Sequence, residues 1–364
     1  MKVLFMANIP SPYRVDFFNE LGKYCELTVT FEGKSATDRD VKWKADKFAN
    51  FKAVFLNGIR TKSDQFLCFD IIKIIKQGFD RIIVGGYSTP SAMLAIEYMK
   101  LKGIKFFIEA DGGLISQDSK LKYLVKKYFI SAANGWFSSG KVTTDYFVHY
   151  GADKGRIHVY PFSSLKAQDI LSNCLSLEKK IRLKKELGIN EDKVAISVGQ
   201  FIHRKGFDIL LRSWGKCPKE YGLYIIGAEP TKEYLCLQKS LSLYNVHFIG
   251  FKNKEELKKY YQSADVFVLP TREDIWGLVI NEAMANGLPV ITTNRCVAGM
   301  ELIEDGKNGY IVPVEDEQAL TEKINTLLDS EILCKNMAKE SLKRIRPYTI
   351  ENMAKEHMKV LVTK

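Results

Sequence analysis

Two stretches of this 364-residue chain hold side chains suited to an anionic, hydroxyl-rich ligand. The first is Val198-Gly199-Gln200-Phe201-Ile202-His203-Arg204-Lys205-Gly206-Phe207-Asp208-Ile209-Leu210-Leu211. An apolar strand ends at Gly199, a basic loop follows, and a helix begins near Phe207. Arg204 offers a planar fork of donors and Lys205 a compact charge, so together they can neutralise a diphosphate. Cations fixed at that position stabilise a phosphate group as it departs and gains negative charge. Taken alone, the segment reads equally as an ordinary basic strand–helix turn.

The second stretch is Pro270-Thr271-Arg272-Glu273-Asp274-Ile275-Trp276-Gly277-Leu278-Val279-Ile280-Asn281-Glu282, continuing through Gly287 to Val290. A buried strand runs into an acidic loop. Gly277 opens a helix and Gly287 closes it at the C-cap. The start of such a helix presents unpaired N–H groups and a positive dipole end, which suit a phosphate or a sugar hydroxyl. Asp274 precedes that end, and Glu282 lies eight residues on, about two turns along one face. Carboxylates accept paired hydrogen bonds from vicinal hydroxyls, so the two acids can grip a hexose and a ribose. Either acid alone is better explained as an N-cap or a solvated helix residue; the whole stretch carries the ligand reading.

The first half of the chain has weaker candidates. Ile108-Glu109-Ala110-Asp111-Gly112-Gly113 follows a strand and ends in two flexible glycines. Asp111 is the first choice there for a functional acid and Glu109 the second; a turn aspartate before Gly-Gly is the plain alternative. Gly85-Gly86-Tyr87-Ser88 is a second glycine loop at a strand end, and Ser11, Tyr13 and Arg14 lie just past the first strand.

The elements that must position these residues alternate regularly. Strands are expected at 3–7, 27–31, 53–56, 81–84, 105–108 and 157–159, with helices at 15–23, 66–77, 91–101, 120–132 and 143–150. Strands such as 82–84 are apolar throughout, which means burial on both faces and hence a parallel sheet covered by helices. Residues 166–192 lose strand character and become charged and helical. The alternation restarts at 194–198 and continues at 224–226, 246–249, 266–269 and 290–293. Two such blocks predict an α/β chain with two doubly wound domains, in which ligands bind beyond the carboxyl ends of the strands. The expected layout is a Rossmann-like acceptor-side domain over 1–165, a linker over 166–192 and a second Rossmann-like domain over 193–346. A final helix over 347–364 crosses back to the first domain.

Bulk properties narrow the class. Hydrophobic content of 46% with 27% charged residues reads as soluble and globular. No run of roughly 18 apolar residues occurs, so no transmembrane helix is expected. The short apolar start, 3–9, runs into Pro10, Pro12 and Arg14 without a small-residue cleavage site, so no signal peptide is expected either. The seven cysteines are scattered without a C-x-x-C pair, as in reduced, cytoplasmic proteins. The net charge of +11 is uneven: residues 1–165 carry 24 Lys and Arg against 16 Asp and Glu. That excess suits an anionic partner or simply a solubilising surface. No nucleic-acid-binding module is visible.

These motifs resemble family-4 glycosyltransferases of the GT-B fold over nearly the whole chain. The likeness rests on Ile9-Pro10-Ser11-Pro12-Tyr13-Arg14-Val15, the Gly199-to-Gly206 loop, the paired acids Asp274 and Glu282 and the final helix. The resemblance implies two Rossmann-like domains facing across a cleft. It implies a retaining, metal-independent transfer of a hexose or N-acetylhexosamine from a nucleotide-diphosphate sugar to a glycan or lipid-linked acceptor. The implied setting is surface-polysaccharide synthesis on the inner face of the cell membrane. No cofactor is implied beyond the donor substrate. By the same resemblance Glu282 binds the donor ribose and Asp274 contacts the transferred sugar. Backbone N–H groups near Trp276, Gly277 and Leu278 meet the sugar and phosphates. Lys205 and Arg204 hold the pyrophosphate beside Gly199, and Asp111 stands near the reacting carbon. Two departures stand out. The first acid of the pair is often Glu and here is Asp274, with Glu273 next to it as the one-residue alternative. A common Gly-Arg pair is Gly199-Gln200 here.

In the 119–130 segment Leu121, Leu124, Val125, Tyr128 and Phe129 recur at helical spacing, with Lys120, Lys122, Lys126 and Lys127 outside the stripe. It reads as a core-packed helix with wet lysines, or as a contact with an anionic bilayer. The five histidines show no metal spacing, and no D-x-D signature is present. Rival readings are a sugar-nucleotide epimerase of the same fold, a phosphorylase with a cofactor lysine, and a non-catalytic sugar-nucleotide-binding homologue.

Overall fold

The computed structural model describes residues 1–34, 48–62 and 65–363. The chain forms two compact units, one of Met1–Ser164 with Tyr348–Lys364 and the other of Leu165–Pro347. Residues 166–192, read from sequence as a linker, lie within the second unit. The helix Leu177–Leu187 is held there by Lys180 and Lys184, which bond Asp265 at 2.9 and 3.3 Å.

The first unit is built on β1 (Lys2–Ala7), β2 (Glu26–Phe31), β3 (Lys52–Phe55), a small hairpin of β4 (Ile59–Lys62) and β5 (Gln65–Leu67), β6 (Arg81–Gly85), β7 (Phe107–Ala110), β8 (Gly135–Ser138) and β9 (Ile157–Val159). Seven of these make one parallel sheet in the order β3-β2-β1-β6-β7-β8-β9. The order reverses between β1 and β6, so the loops after β1, β6 and β7 emerge side by side at the position where doubly wound sheets bind ligands. Val3, Leu4 and Phe5 of β1 are fully buried, as a strand covered on both faces requires. The helix Ile350–Val362 completes this unit. It packs against the helix Pro12–Leu21, burying Ile350, Met353, Ala354, His357 and Leu361. Arg81 ties its end down, donating to the carbonyls of Leu361 and Thr363 at 2.9 Å each.

The second unit contains β10 (Lys193–Gly199), β11 (Tyr221–Gly227), β12 (Val246–Ile249), β13 (Val266–Leu269), β14 (Val290–Thr293) and β15 (Gly309–Val312). Its parallel sheet runs β12-β11-β10-β13-β14-β15. Here the order reverses between β10 and β13, which pair through Ala195↔Val266 and Ile196↔Phe267.

Several sequence expectations shift. The 66–77 helix is instead β5 followed, after a break, by the short helix Ile71–Ile75. Short apolar runs read as either element, and here Ser91 fixes the break by accepting from the Cys68 N–H at 2.9 Å. The 105–108 strand moves two residues on, to Phe107–Ala110, so that Glu109 pairs with Gly85 within the sheet. β8 and β15 carry Gly, Ser or Tyr rather than a pure aliphatic run, and local pattern did not reveal them.

Candidate functional site

In the second unit the two chemistry-bearing loops follow β10 and β13, the adjacent strands at the reversal point. After Gly199 the chain makes a short turn over His203–Lys205, passes Gly206, and enters the helix Phe207–Trp214. Gly206 has φ +70°, and a Cβ there would lie 2.1 Å from the Pro270 carbonyl oxygen. Only glycine permits that approach, and it brings the loop after β10 against the loop after β13.

The two loops are then stitched together. The Arg204 carbonyl accepts from the Arg272 N–H at 2.8 Å and from the Thr271 hydroxyl at 2.9 Å. Arg272 forks onto Asp208 with two bonds of 2.8 Å and reaches the His203 carbonyl at 2.7 Å. Arg204 in turn donates to the Glu273 carbonyl at 2.9 Å.

This frame aims three charged side chains at one another. Lys205 Nζ lies 2.6 Å from Asp274 Oδ2, and Arg204 Nη1 lies 3.5 Å from Asp274 Oδ1. Lys205 and Asp274 are mostly buried, whereas Arg204 is 45% exposed. The Lys205 stem runs beside Gly199, where an added Cβ would meet its Cδ and Cε at 3.5 Å. The backbone holds Asp274 at both ends: its N–H donates to the Arg295 carbonyl at 3.0 Å, and its carbonyl accepts from the Val297 N–H at 3.1 Å. Glu273 faces elsewhere, its carboxylate pairing with Arg295 at 2.9 Å. Of the two neighbouring acids, Asp274 therefore meets the cations.

The helix Leu278–Ala285 begins directly after Gly277, which has φ +99° and no capping side chain. A Cβ at Gly277 would sit 2.9 Å from Cys296 Sγ and 3.8 Å from Asp274 Cγ, so the start of this helix adjoins the acid. Trp276 is buried, donating from its ring N–H to Asn281 at 2.9 Å. What it offers a ligand is backbone, and its carbonyl is already used by the Ala298 N–H at 2.8 Å. Glu282, half-buried on the same helix, accepts from the Tyr261 hydroxyl at 3.1 Å. Arg204, Lys205, Gly199, Asp274 and Gly277 thus converge; Leu278 and Glu282 follow on the adjoining helix, while the Glu273 side chain does not join them.

The first unit assembles a second group around Glu109 and Asp111 at the end of β7. Arg14, on the helix after β1, forks between the two acids, one Nη on each. Tyr13 donates to Asp111 at 3.1 Å and Tyr160 to Glu109 at 3.1 Å. His357 Nε2 lies 2.9 Å from the other Glu109 oxygen. Glu109 is fully buried, and Asp111 keeps 28% of its side chain exposed. Burial alone pushes the Glu109 carboxyl up; the charges of Arg14 and His357 outweigh it and hold it at about 2. Burial dominates at Asp111 and pushes its carboxyl up, despite Arg14.

Sequence spacing missed His357 and Tyr160, which reach this group from 248 and 51 residues away. It also missed Glu32, buried at the end of β2. Thr89 donates to one Glu32 oxygen at 2.5 Å, and burial pushes this carboxyl up to about 7. Partners separated this widely leave no local pattern to find.

The helix Lys120–Ile130 reverses one expectation. Most of its apolar stripe faces outward, with Leu121 74% exposed, Leu124 50%, Val125 40% and Tyr128 49%, while Phe129 is half-buried against the core. Lys126 instead turns inward to Asp118 at 2.8 Å, and Ile130 is the helix's one buried residue. The core-packed reading fails because Asp118 and the aromatic ring of Tyr150 draw the lysine side of the helix onto the unit.

Known proteins share this architecture. Residues 179–344 match the family described as Glycosyl transferases group 1. An uncharacterized glycosyltransferase of Methanocaldococcus jannaschii is 32% identical over 197 residues, 51% of this chain and 49% of that relative. A capsular polysaccharide biosynthesis glycosyltransferase of Staphylococcus aureus, CapM, is 29% identical over 204 residues, covering 53% and 52%. The chain spans about half the length of these curated relatives. Anabaena HepE, solved in complex with UDP, superposes with a TM-score of 0.80 at 17% identity over 99% of both chains. Residues 179–344 therefore carry the glycosyl transferases group 1 match on a chain that has the GT-B fold.

Proposed function

We propose that this chain is a retaining, metal-independent glycosyltransferase that moves a hexose or N-acetylhexosamine from a nucleotide-diphosphate sugar to a glycan or lipid-linked acceptor. The observation that carries this reading is the meeting of Arg204 and Lys205 with Asp274 beside an uncapped helix start. An arriving pyrophosphate takes the two cations, with the helix start as a further anion site. Asp274, released from Lys205, accepts hydroxyls of the transferred sugar, and Glu282 accepts those of the ribose. HepE complexes with UDP and with UDP-glucose support a nucleotide-sugar donor for this fold.

The chemistry follows from that placement. The acceptor hydroxyl attacks the anomeric carbon from the side the diphosphate leaves. The new carbon–oxygen bond forms as the old one to phosphate breaks, and a leaving phosphate oxygen takes the hydroxyl proton. Configuration is retained without a protein nucleophile. Arg204 and Lys205 stabilise the charge that grows on the diphosphate, while Asp111, at a strand end of the other unit, serves the acceptor side. CapM's role in capsular polysaccharide biosynthesis makes surface-polysaccharide synthesis the proposed setting.

The outward stripe of the 120–130 helix supports a peripheral position on the inner face of the membrane. Leu121, Leu124 and Val125 supply apolar area, and Lys120, Lys122 and Lys127 border it on a basic half of the chain. The protein is expected to pellet with vesicles containing anionic lipid and to be released by salt. Substituting Leu121 and Leu124 by serine should weaken pelleting about tenfold. Equal pelleting on neutral vesicles and in high salt contradicts the electrostatic part.

A thermal-shift screen against nucleotide sugars tests the donor assignment, because a ligand that binds only the folded state raises its melting temperature. One nucleotide sugar is expected to stabilise the chain. Glu282→Ala should weaken that donor's affinity roughly tenfold or more, by loss of hydrogen bonds to an ionised group. Incubation with donor alone should yield no epimer. An epimer formed without acceptor supports the epimerase alternative instead.

A further inference from the structure

The charge arrangement in the first unit implies more than an acid at a strand end. One guanidinium, Arg14, stands between two carboxylates, Glu109 and Asp111. That trio carries a net negative charge in a largely buried place, where unpaired charge is costly. Besides the Tyr13 and Tyr160 hydroxyls, the trio is met by His357, itself fully buried. Its Nδ1 lies 2.8 Å from the Met353 carbonyl oxygen and its Nε2 lies 2.9 Å from Glu109 Oε2. A carbonyl and a carboxylate only accept hydrogen bonds. A neutral imidazole has one N–H, so one of its nitrogens would point a lone pair at another lone pair. With a proton on each nitrogen, both contacts become hydrogen bonds and the four charged groups sum to neutrality.

We infer that His357 is held as an imidazolium and is a positioning residue: from the final helix it supplies the second positive charge that keeps Asp111 ionised and fixed. The inference rests on the reading of Asp111 as the acceptor-side acid. The link runs through shared partners. Glu109 is saturated by Arg14, Tyr160 and His357, so one arm of Arg14 is anchored and its other arm is set on Asp111. The cage around the ring is aromatic. Phe137 of β8 stacks on it at 4.3 Å between centroids, Phe17 lies at 4.9 Å and Tyr160 at 4.7 Å. Glu109 is the charged side chain this ring touches among the described residues, with Arg14 and Asp111 next beyond it. Without the imidazolium, Glu109 and Asp111 share one cation, and Asp111, whose carboxyl burial already pushes up, takes up a proton.

The decisive measurement is made on the full-length chain with ¹⁵N-labelled histidine. Converting His149, His158, His203 and His247 to glutamine leaves His357 as the single histidine of the five. Its ring is expected to show two protonated nitrogens at pH 7.5; a neutral tautomer overturns the inference. The second measurement follows the Asp111 carboxyl by ¹³C NMR, assigned by its loss in Asp111→Asn. In His357→Gln its titration should move up by at least about one pH unit. An unchanged midpoint in folded His357→Gln also overturns the inference. Failure of the underlying reading looks different: Asp111→Asn would then transfer sugar as well as the parent while the His357 spectrum keeps both protons.

Discussion

Lys205→Ala is expected to lower turnover with the donor by about 10²–10³-fold, the loss typical of removing one charge-stabilising donor at a developing anion. The ammonium sits 2.6 Å from Asp274, and its stem is guided by the absence of a side chain at Gly199. In the proposed reaction it leaves Asp274 for the diphosphate and stabilises the bond-breaking transition state. Folding should suffer far less, because Arg204 remains 3.5 Å from the stranded Asp274 carboxylate. Lys205→Arg should recover little activity, since a planar fork does not replace a compact charge on this stem. Steady-state rates with the nucleotide sugar that raises the melting temperature, measured beside urea unfolding of the same variants, check both halves. Turnover equal to the parent refutes the role.

Glu109→Gln is expected to produce the largest change in stability, roughly 3–5 kcal/mol, the usual cost of removing one partner from a buried ion pair. Arg14 and His357 would be left facing a neutral amide inside the first unit. The same group sets an acid sensitivity. Its folded carboxyl is held at about 2, below the value of about 4.3 for an unfolded glutamate. The unfolded chain therefore binds the proton first. The stabilisation is complete above about pH 4.3 and is lost as pH falls towards 2, amounting to a few kcal/mol. Asp111 contributes with the opposite sign, because its carboxyl is raised on folding. The difference between parent and Glu109→Gln in urea unfolding at pH 7 and pH 3 isolates the Glu109 contribution. It should shrink at pH 3; a difference that stays constant contradicts the assignment.

Much of the framework was legible because it is local. Apolar strands covered on both faces, such as 82–84, announce a parallel sheet, and the break in alternation before 194 separates two sheets. Gly277 and Gly287 bracket their helix because chain reversal there needs positive φ, which the structure shows at both. What escaped was pairing between distant segments. Arg204-Lys205 and Asp274 stood in two separate constellations, and only the adjacency of β10 and β13 joins them. Glu273 and Asp274 are indistinguishable by spacing; the backbone bonds of Asp274 to Arg295 and Val297 decide which one turns inward. His357 was one of five histidines without metal spacing, and its partner lies 248 residues back. The 120–130 stripe shows the opposite limit. Periodicity identified the apolar face, but whether that face meets the core or solvent depended on Asp118 and Tyr150, which capture Lys126.

The central claim is that Arg204, Lys205 and Glu282 hold one nucleoside diphosphate, and calorimetric titration of a panel of nucleoside diphosphates into the parent chain and its variants tests it without knowledge of the acceptor. One member of the panel should bind the parent, with affinity reduced at least about tenfold in Lys205→Ala and likewise in Glu282→Ala. Binding of that nucleotide with equal strength to parent and both variants, or binding of none of the panel to the folded parent, contradicts the account.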